Sequence, residues 1–499
     1  MLRSPRRAVK EMLIRAVHAR NQRERNRLQQ VNGIAPAAWG AAVNAAGNLA
    51  IDGVDVADLV SAHGTPLHVV SQTRLLADYA RFESSFKSLY AKTAIGYSYK
   101  TNPLPGVLRV LHGAGALAEV ISHFELWLAL ELGVVPERII FNGPGKTRDA
   151  IKLAVSRGVG MINIDGFGEI DEIAQAARSA QREQDVGVRV ITSVGWSSQF
   201  GLSIASGAAM EAFRRIRRHP QLKATGLHFH LGTGIRDVAI YLRAVRETLE
   251  FARAVRSELG TQITQLDLGG GFGVPTVRPF TEWDTRLTLN GRPAGPVDVE
   301  AAPRPADYAR GIVELVQKYY SADADDSPTV IFEPGRAITS SSQSLVLRVL
   351  ALKDDPSGIH NVIVDGGKNI AMPLGYEVHE LLAVNGAADA RVSTYNFYGP
   401  LCHPGDLHFQ SKTFRALQVD DLVAIMDAGA YFIPNQMNFS HPRPAVVMVD
   451  SGRITVLRQR ESFDDLVRLD QLGTDGFGPA RDSREYGSRV APFPVAEQR

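Results

Sequence analysis

From residue 65 onward, short apolar runs rich in β-branched residues alternate with longer stretches whose apolar positions recur every three or four residues. The runs predict strands at 93–100 (TAIGYSYK), 117–122 (LAEVIS), 138–143 (RIIFNG), 161–165 (MINID), 186–192 (VGVRVIT), 225–232 (TGLHFHLG), 263–271 (ITQLDLGGG) and 329–335 (TVIFEPG). Stretches between them, such as DAIKLAVSRG and YLRAVRETLEFARAVRSEL, carry helix formers at helical spacing. Alternation of this kind implies parallel strands joined by crossover helices. Eight such units over about 270 residues favour a closed (β/α)8 barrel of the TIM type over an open sheet.

After residue 340 the texture changes. SLVLRVLALK, NVIVDGG, RVSTYNFYG, DLVAIMDAG and AVVMVDSGRITVLRQ are strand-like and punctuated by Gly, Pro and Asp, which predicts a β-rich second domain, a sandwich or small barrel. The earlier segment 49–70, LAIDGVDVADLVSAHGTPLHVV, has a strand-like start and is a candidate to pair with that domain. Residues 275–305 are rich in Pro and Gly and read as a long loop, a lid or interface element. The expected organisation is a basic helical extension (1–35), a segment joining the β domain (36–69), the barrel (70–338), the β-rich domain (339–480) and a tail (481–499).

At 499 residues the chain is ample for two or more domains, and 44% apolar with 22% charged residues is ordinary for a globular protein. Net charge is +2, but residues 1–30 hold nine Arg/Lys against two Glu, so the remainder is slightly acidic and no nucleic-acid partner is expected. In the same arm Val9, Met12, Leu13, Ala16 and Val17 fall at helical spacing, reading as a basic amphipathic surface or interface helix, with a transit peptide or an arm for an anionic partner as alternatives. One cysteine, Cys402, rules out an intrachain disulfide and suits a reducing, cytoplasmic setting. No run of about 18 apolar residues predicts a membrane span, and the apolar core of a secretory signal is missing from the N-terminus.

Barrels of this type place their sites at the C-terminal strand ends. Those ends carry Lys100, Ser122, Asn142, Asp165, His230, the Gly269–Gly271 run, and Glu333 with Arg336. Each has an ordinary reading. A strand-end lysine snorkels to solvent, His230 or His228 is a hydrogen-bonded structural histidine, a glycine run marks a turn, and FEPGR is an ion-paired turn. Together they offer an amine for an aldehyde, a flat partner for a ring, a backbone cradle for a phosphate and an acid for a pyridine nitrogen. Pyridoxal phosphate requires that set.

YSYKTNP resembles the lysine motif of the fold-type III pyridoxal-phosphate decarboxylases, the ornithine/diaminopimelate/arginine group. The similarity continues in order through GTPLHVV, LAEVISHFELWLALELGV, HFHLGTGI, LDLGGGFG, FEPGRAIT, GPLCHPGD and DAGAYF, over roughly residues 45–450 and closest in pattern to diaminopimelate decarboxylase. It implies an alanine-racemase-like barrel with a C-terminal β domain, a homodimer with shared active sites, and a small amino-acid substrate. By matching motif, Lys100 resembles the Schiff-base lysine, His230 the imidazole stacked on the cofactor and Glu333 the partner of the ring nitrogen. Thr233 (in place of a usual serine), Gly270, Gly271, Gly335, Arg336 and Tyr431 correspond to phosphate-side positions, and Cys402 to a cysteine reaching in from the second subunit; read alone, Cys402 is an inert buried thiol. The implied reaction is decarboxylation, with Cys402 or Lys100 protonating Cα.

The substrate-facing positions carried over are His403, Tyr376, Met372 and Asp406. Here the sequence departs from the diaminopimelate pattern. His403 stands where a glutamate meets the distal amine, Met372 where an arginine binds the distal carboxylate, and Gln199 in SQFGLS replaces a common lysine. A buried carboxylate without its cation loses roughly 2–5 kcal/mol. The expected substrate is therefore a modified or non-standard amino acid with a neutral, amide-bearing or carrier-linked side chain, unless Arg278, Arg391 or Arg443 substitutes. True diaminopimelate decarboxylation, racemisation and a non-catalytic regulator are the alternatives.

Overall fold

Eight short parallel strands close on themselves in the computed structural model, which describes residues 33–320, 327–354, 359–385 and 391–470. The strands are Thr93–Ser98, Leu117–Val120, Ile139–Phe141, Met161–Ile164, Gln184–Ile191, Leu222–His228, Gln265–Asp267 and Thr329–Phe332, each paired to the next and the last to the first. Strands enclosed by helices are covered on both faces, which is why these read as continuous apolar runs. The barrel and C-terminal strand-rich architecture agrees with the fold class expected. The predicted N-terminal helix and the 481–499 tail lie outside the described residues. Among those described, no helix is long and apolar enough to cross a membrane.

The outer helices include Gln72–Lys87, Pro105–Gly113, His123–Glu131, Arg148–Arg157, Phe167–Ser179, Ala208–Ile216, Val238–Leu259 and Pro305–Tyr319. Helix 72–87 precedes the first barrel strand and completes the ring, because the last strand is followed only by the short helix Arg336–Thr339. Phe82 and Phe86 pack on Phe272 and Phe332, with ring centroids 4.0 Å apart for Phe86 and Phe332. Truncating one such ring costs about 3–5 kcal/mol. This cluster fixes the last strand and the glycine loop, and hence one side of the pocket.

Beyond residue 342 a large sheet is built on the long strand Gln343–Asp354, which pairs with His360–Val364, Leu422–Ile425 and Leu67–Ser71. Segment 49–70 joins it differently from expectation. Its start, Leu49–Ile51, belongs to a small three-stranded sheet with Ala41–Val43 and Val54–Asp55, touching the larger body through Leu49 N–H to Val384 O at 2.8 Å. Its end, Leu67–Ser71, is the strand that enters the large sheet, between Gln343–Asp354 and Ala445–Asp450. All five of its residues are buried, and an interior strand must be covered on both faces.

Two further readings are corrected. Residues 275–305 contain a strand, Arg278–Pro279, paired with Glu377–Val378, and a helix, Glu282–Leu289, whose Thr281 and Asp284 form a reciprocal capping box. The T-x-x-D spacing of Thr281 and Asp284 was the available signal. Strand Leu407–Arg415 lacks a strong alternating pattern and was missed; pairing with Val392–Tyr398 holds it.

Candidate active site

The first barrel strand ends at Ser98, and a single 3-10 turn, Tyr99–Thr101, carries Lys100 over the rim. Its ammonium donates to Glu119 Oε2 at 3.2 Å. Glu119 is fully buried on the second strand, accepting from Ser98 Oγ at 2.5 Å and Asn142 Nδ2 at 3.0 Å. Asn142 Nδ2 reaches Glu333 Oε1 at 2.5 Å, and its Oδ1 accepts from Asn163 at 2.8 Å. Burial alone would lower the Lys100 pKa; Glu119, Glu333 and Tyr431 outweigh it, and the amine is held above its ordinary range.

Glu333 follows the last barrel strand, with His228 Nε2 3.5 Å from its Oε2 and Asp267 close by. Burial pushes both acids up. For Glu333 the charges of His228 and Lys100 win, and its carboxyl is held well below the usual range. Asp267, facing Glu333, is driven well above it. The ionised member of the pair is therefore the one in the pocket.

His230 lies beyond the end of the sixth strand, at Leu222–His228, and its Nδ1 accepts the Gly270 N–H at 3.2 Å. Burial, then the Lys100 charge, depress the ring to about 3, so it is a neutral, flat surface at neutral pH. The indole of Trp196 lies behind, 6.0 Å between centroids.

Three loops close the far side. A Cβ on Gly271 (φ +88°) would stand 2.2 Å from Gly232 O, and one on Gly335 only 1.9 Å from Thr101 Oγ1. Absent side chains let these backbones approach one another and a ligand closely. Tyr431, itself at φ +66°, donates its N–H to Thr101 O at 2.9 Å, tying the DAGAYF turn to the lysine turn. Lys100, His230, Thr233, Gly271, Gly335, Arg336, Glu333 and Tyr431 line one pocket. Gly270 is behind it, with its N–H engaged by His230.

The substrate-facing positions lie apart. Met372 opens the turn Met372–Gly375 and is 42% exposed; Tyr376, next after that turn, is 40% exposed. Cys402 and His403 are exposed on the GPLCHPGD loop, so the inert-core reading of Cys402 fails. Asp406 is buried under the loop, accepting from Lys368 N–H at 2.6 Å and Leu401 N–H at 2.8 Å, and shapes it from within. Of the rim residues, Ser122 caps helix His123–Glu131, and Asp165 pairs with Arg189 at 3.1 Å, away from the pocket. Gln199 is exposed and accepts from Ser198 Oγ at 2.5 Å. Arg278 is clamped by Asp284 at 2.6 and 3.0 Å, and Arg443 by Glu461 at 2.6 Å. Arg336 Nη1 donates to Glu377 Oε2 at 3.0 Å and Nη2 to Oε1, so its fork is filled.

Glu119, Asp267 and Glu377 were not singled out in the sequence. An acid inside an apolar parallel strand, LAEVIS or QLDL, was the signal for the first two; nothing local marks Glu377.

The pyridoxal-dependent decarboxylase model, described as the pyridoxal binding domain, matches residues 72–340, more than half the chain. Diaminopimelate decarboxylase of Methanocaldococcus jannaschii is 27% identical over 441 residues, covering 85% of this chain and 95% of that protein. The Zymomonas mobilis diaminopimelate decarboxylase is 29% identical over 440 residues, covering 85% and 97%. A crystal structure of the M. jannaschii enzyme with L-lysine superposes with a TM-score of 0.78 at 26% identity, covering 87% of this chain and 98% of that one. The residues present fit pyridoxal phosphate: an amine and an ionised acid share a pocket with a neutral imidazole, and glycines at two loops leave room where a Cβ would collide.

Proposed function

The chain belongs to the pyridoxal-dependent decarboxylases, and from that premise we propose that it removes the α-carboxylate of an amino acid lacking the distal carboxylate of diaminopimelate. It is a pyridoxal-phosphate-dependent carboxy-lyase of the diaminopimelate/ornithine type. The observation that carries the residue assignment is the convergence of Lys100, His230 and Glu333 on one pocket from three strands distant in sequence.

When bound, pyridoxal phosphate supplies an electron sink for the pair released as the carboxylate leaves. Lys100 is the amine that would hold its aldehyde, and Glu119 keeps a proton on the Lys100 amine. His230 supports the ring, its orientation set by the Gly270 N–H. Glu333, ionised, holds a proton at the ring nitrogen by opposite-charge attraction. Thr233, Gly271, Gly335, Arg336 and Tyr431 would contribute the phosphate side, with Gly270 acting through His230. Cys402 stands ready to deliver the Cα proton from a second copy, which its exposure supports; the homodimer is part of this reading. A free cysteine supports a reducing, cytoplasmic setting.

Met372 and His403 support a substrate without diaminopimelate's distal groups. The second reading, diaminopimelate decarboxylation to lysine, is favoured by the relatives' names. An amino-acid panel assayed for carbon dioxide, with mass spectrometry of the products, separates them. Lysine from meso-diaminopimelate at the highest kcat/KM would overturn the first reading. Borohydride reduction of the cofactor-loaded protein must label Lys100; a label elsewhere would overturn the site.

A further inference from the structure

Asp267 ends the seventh barrel strand, behind Glu333, and is buried. In the strand register it lies beside His228 of the sixth strand and Ile331 of the eighth, two residues short of Glu333. A carboxyl oxygen of each acid and a ring nitrogen of His228 all lie within 4.8 Å of one another. The two carboxyls are supplied unequally. Glu333 Oε1 accepts from Asn142 Nδ2 at 2.5 Å, His228 Nε2 stands 3.5 Å from its Oε2, and the Lys100 charge acts on it from the pocket side. For Asp267, among the described residues, the one donor is the Gly269 N–H, 3.0 Å from Oδ1, and nothing donates to Oδ2.

Two ionised carboxylates buried this close repel each other, and an anionic oxygen without a donor is strongly unfavourable in the interior. One proton on Oδ2 removes both costs, because Oδ2 then becomes a donor facing Glu333. The proton belongs on Asp267, since Glu333 has the richer set of partners; burial and the facing Glu333 charge act on Asp267 in the same direction. Gly269 closes the arrangement. Its N–H is held by Asp267, while its carbonyl accepts the Glu333 N–H at 2.8 Å. The geometry points to Asp267 as a positioning residue: neutral, it donates from Oδ2 to Glu333, and with Oδ1 it pins the glycine loop, so that one side chain sets both the ring-nitrogen acid and the phosphate-side backbone. A carboxylate that accepts a further hydrogen bond is a weaker base, so Glu333 leaves the proton on the ring nitrogen instead of taking it. This inference rests on the assignment of Glu333 to that nitrogen in the reading above and names what keeps the acid charged.

The test uses the full-length enzyme loaded with pyridoxal phosphate. Infrared difference spectra of wild type against Asp267→Asn at pH 8 should show a protonated-carboxyl stretch that the variant lacks. Asparagine keeps an oxygen for the Gly269 N–H and offers an N–H to Glu333. Asp267→Asn should therefore fold and bind pyridoxal phosphate within about threefold of wild type, whereas Asp267→Ala should bind it about tenfold or more weakly. Nitrogen NMR of ring-labelled cofactor adds a readout that a loosened loop alone would not move. The protonated-ring signal should persist in Asp267→Asn and shift toward the neutral ring in Asp267→Ala. An infrared spectrum with no carboxyl band lost, an Asp267→Asn that fails to fold, or an unmoved nitrogen signal in Asp267→Ala overturns the inference. Should Asp267→Ala fail to fold, the infrared band and the binding constant of Asp267→Asn decide it. If these results come out as expected but no amino acid releases carbon dioxide, the decarboxylase reading fails and the role of Asp267 stands.

Discussion

The ammonium of Lys100 and the carboxylate of Glu119 face each other at 3.2 Å across two adjacent barrel strands. A cation at the end of an apolar strand is stable there because a fully buried acid waits beside it. That pairing also keeps the amine protonated, whereas attack on an aldehyde needs the free base. Glu119→Gln is expected to move the pH at which the apoprotein captures pyridoxal phosphate at half its limiting rate to a lower value. Stopped-flow absorbance across pH 6–10 checks this; an unmoved profile would remove Glu119 from that role.

His230 binds fewer protons folded, at about 3, than unfolded, at 6.5. Stability from this ring is complete above pH 6.5 and is lost as pH falls toward 3. His230→Phe keeps a flat face but leaves the Gly270 N–H unpaired, at a cost of about 1–3 kcal/mol. Urea melts should show that loss at pH 7 together with a flatter acid limb, and His230→Ala should in addition weaken cofactor binding.

Burial, with Glu119 nearby, raises Glu125 from 4.5 to about 7, although the Ile121 N–H bonds it at 2.8 Å. The folded protein holds this proton more tightly, so stability falls as pH rises from 4.5 to 7 and stays reduced above. Glu125→Gln retains the acceptor and removes the charge. It should stabilise the protein by up to about 3 kcal/mol at pH 8 and leave pH 4 unchanged, read by thermal melts at both values.

Cys402→Ala should load pyridoxal phosphate normally and melt at the wild-type temperature, since the thiol is exposed. Turnover should fall and wrong-site protonation products rise. Unchanged products by mass spectrometry would assign the Cα proton elsewhere, with Lys100 the first candidate.

Gly335→Ala places a methyl 1.9 Å from Thr101 Oγ1. Overpacking of this kind typically costs about 1–3 kcal/mol. Here it should appear as weaker cofactor binding, measured by absorbance titration, because it pushes the lysine turn from the last strand. Thr101→Gly in the same chain should recover part of the loss.

The barrel was legible because strands covered by helices must be apolar throughout, and that constraint is written locally in runs such as MINI and TVIF. Lys100, His230 and Glu333 were legible for a related reason: polar residues at the ends of apolar strands stand out, and the fold rule says which ends converge. The exposure of Cys402 and the anchoring of Asp406 within its loop were not visible in the same way. Neither burial nor partner follows from the order GPLCHPGD.

The sequence by itself determined the alternation of strands and helices, and with it the rim on which an amine, an imidazole and an acid meet. Tertiary structure alone decided their charge states and company: Glu119 beside Lys100, Asp267 behind Glu333, and Glu377 across the Arg336 fork, 41 residues away in the chain. Periodicity reports which face a residue presents, a matter of its near neighbours. Coulomb interactions and desolvation act through space, between groups whose separation along the chain carries no trace of their distance in the fold.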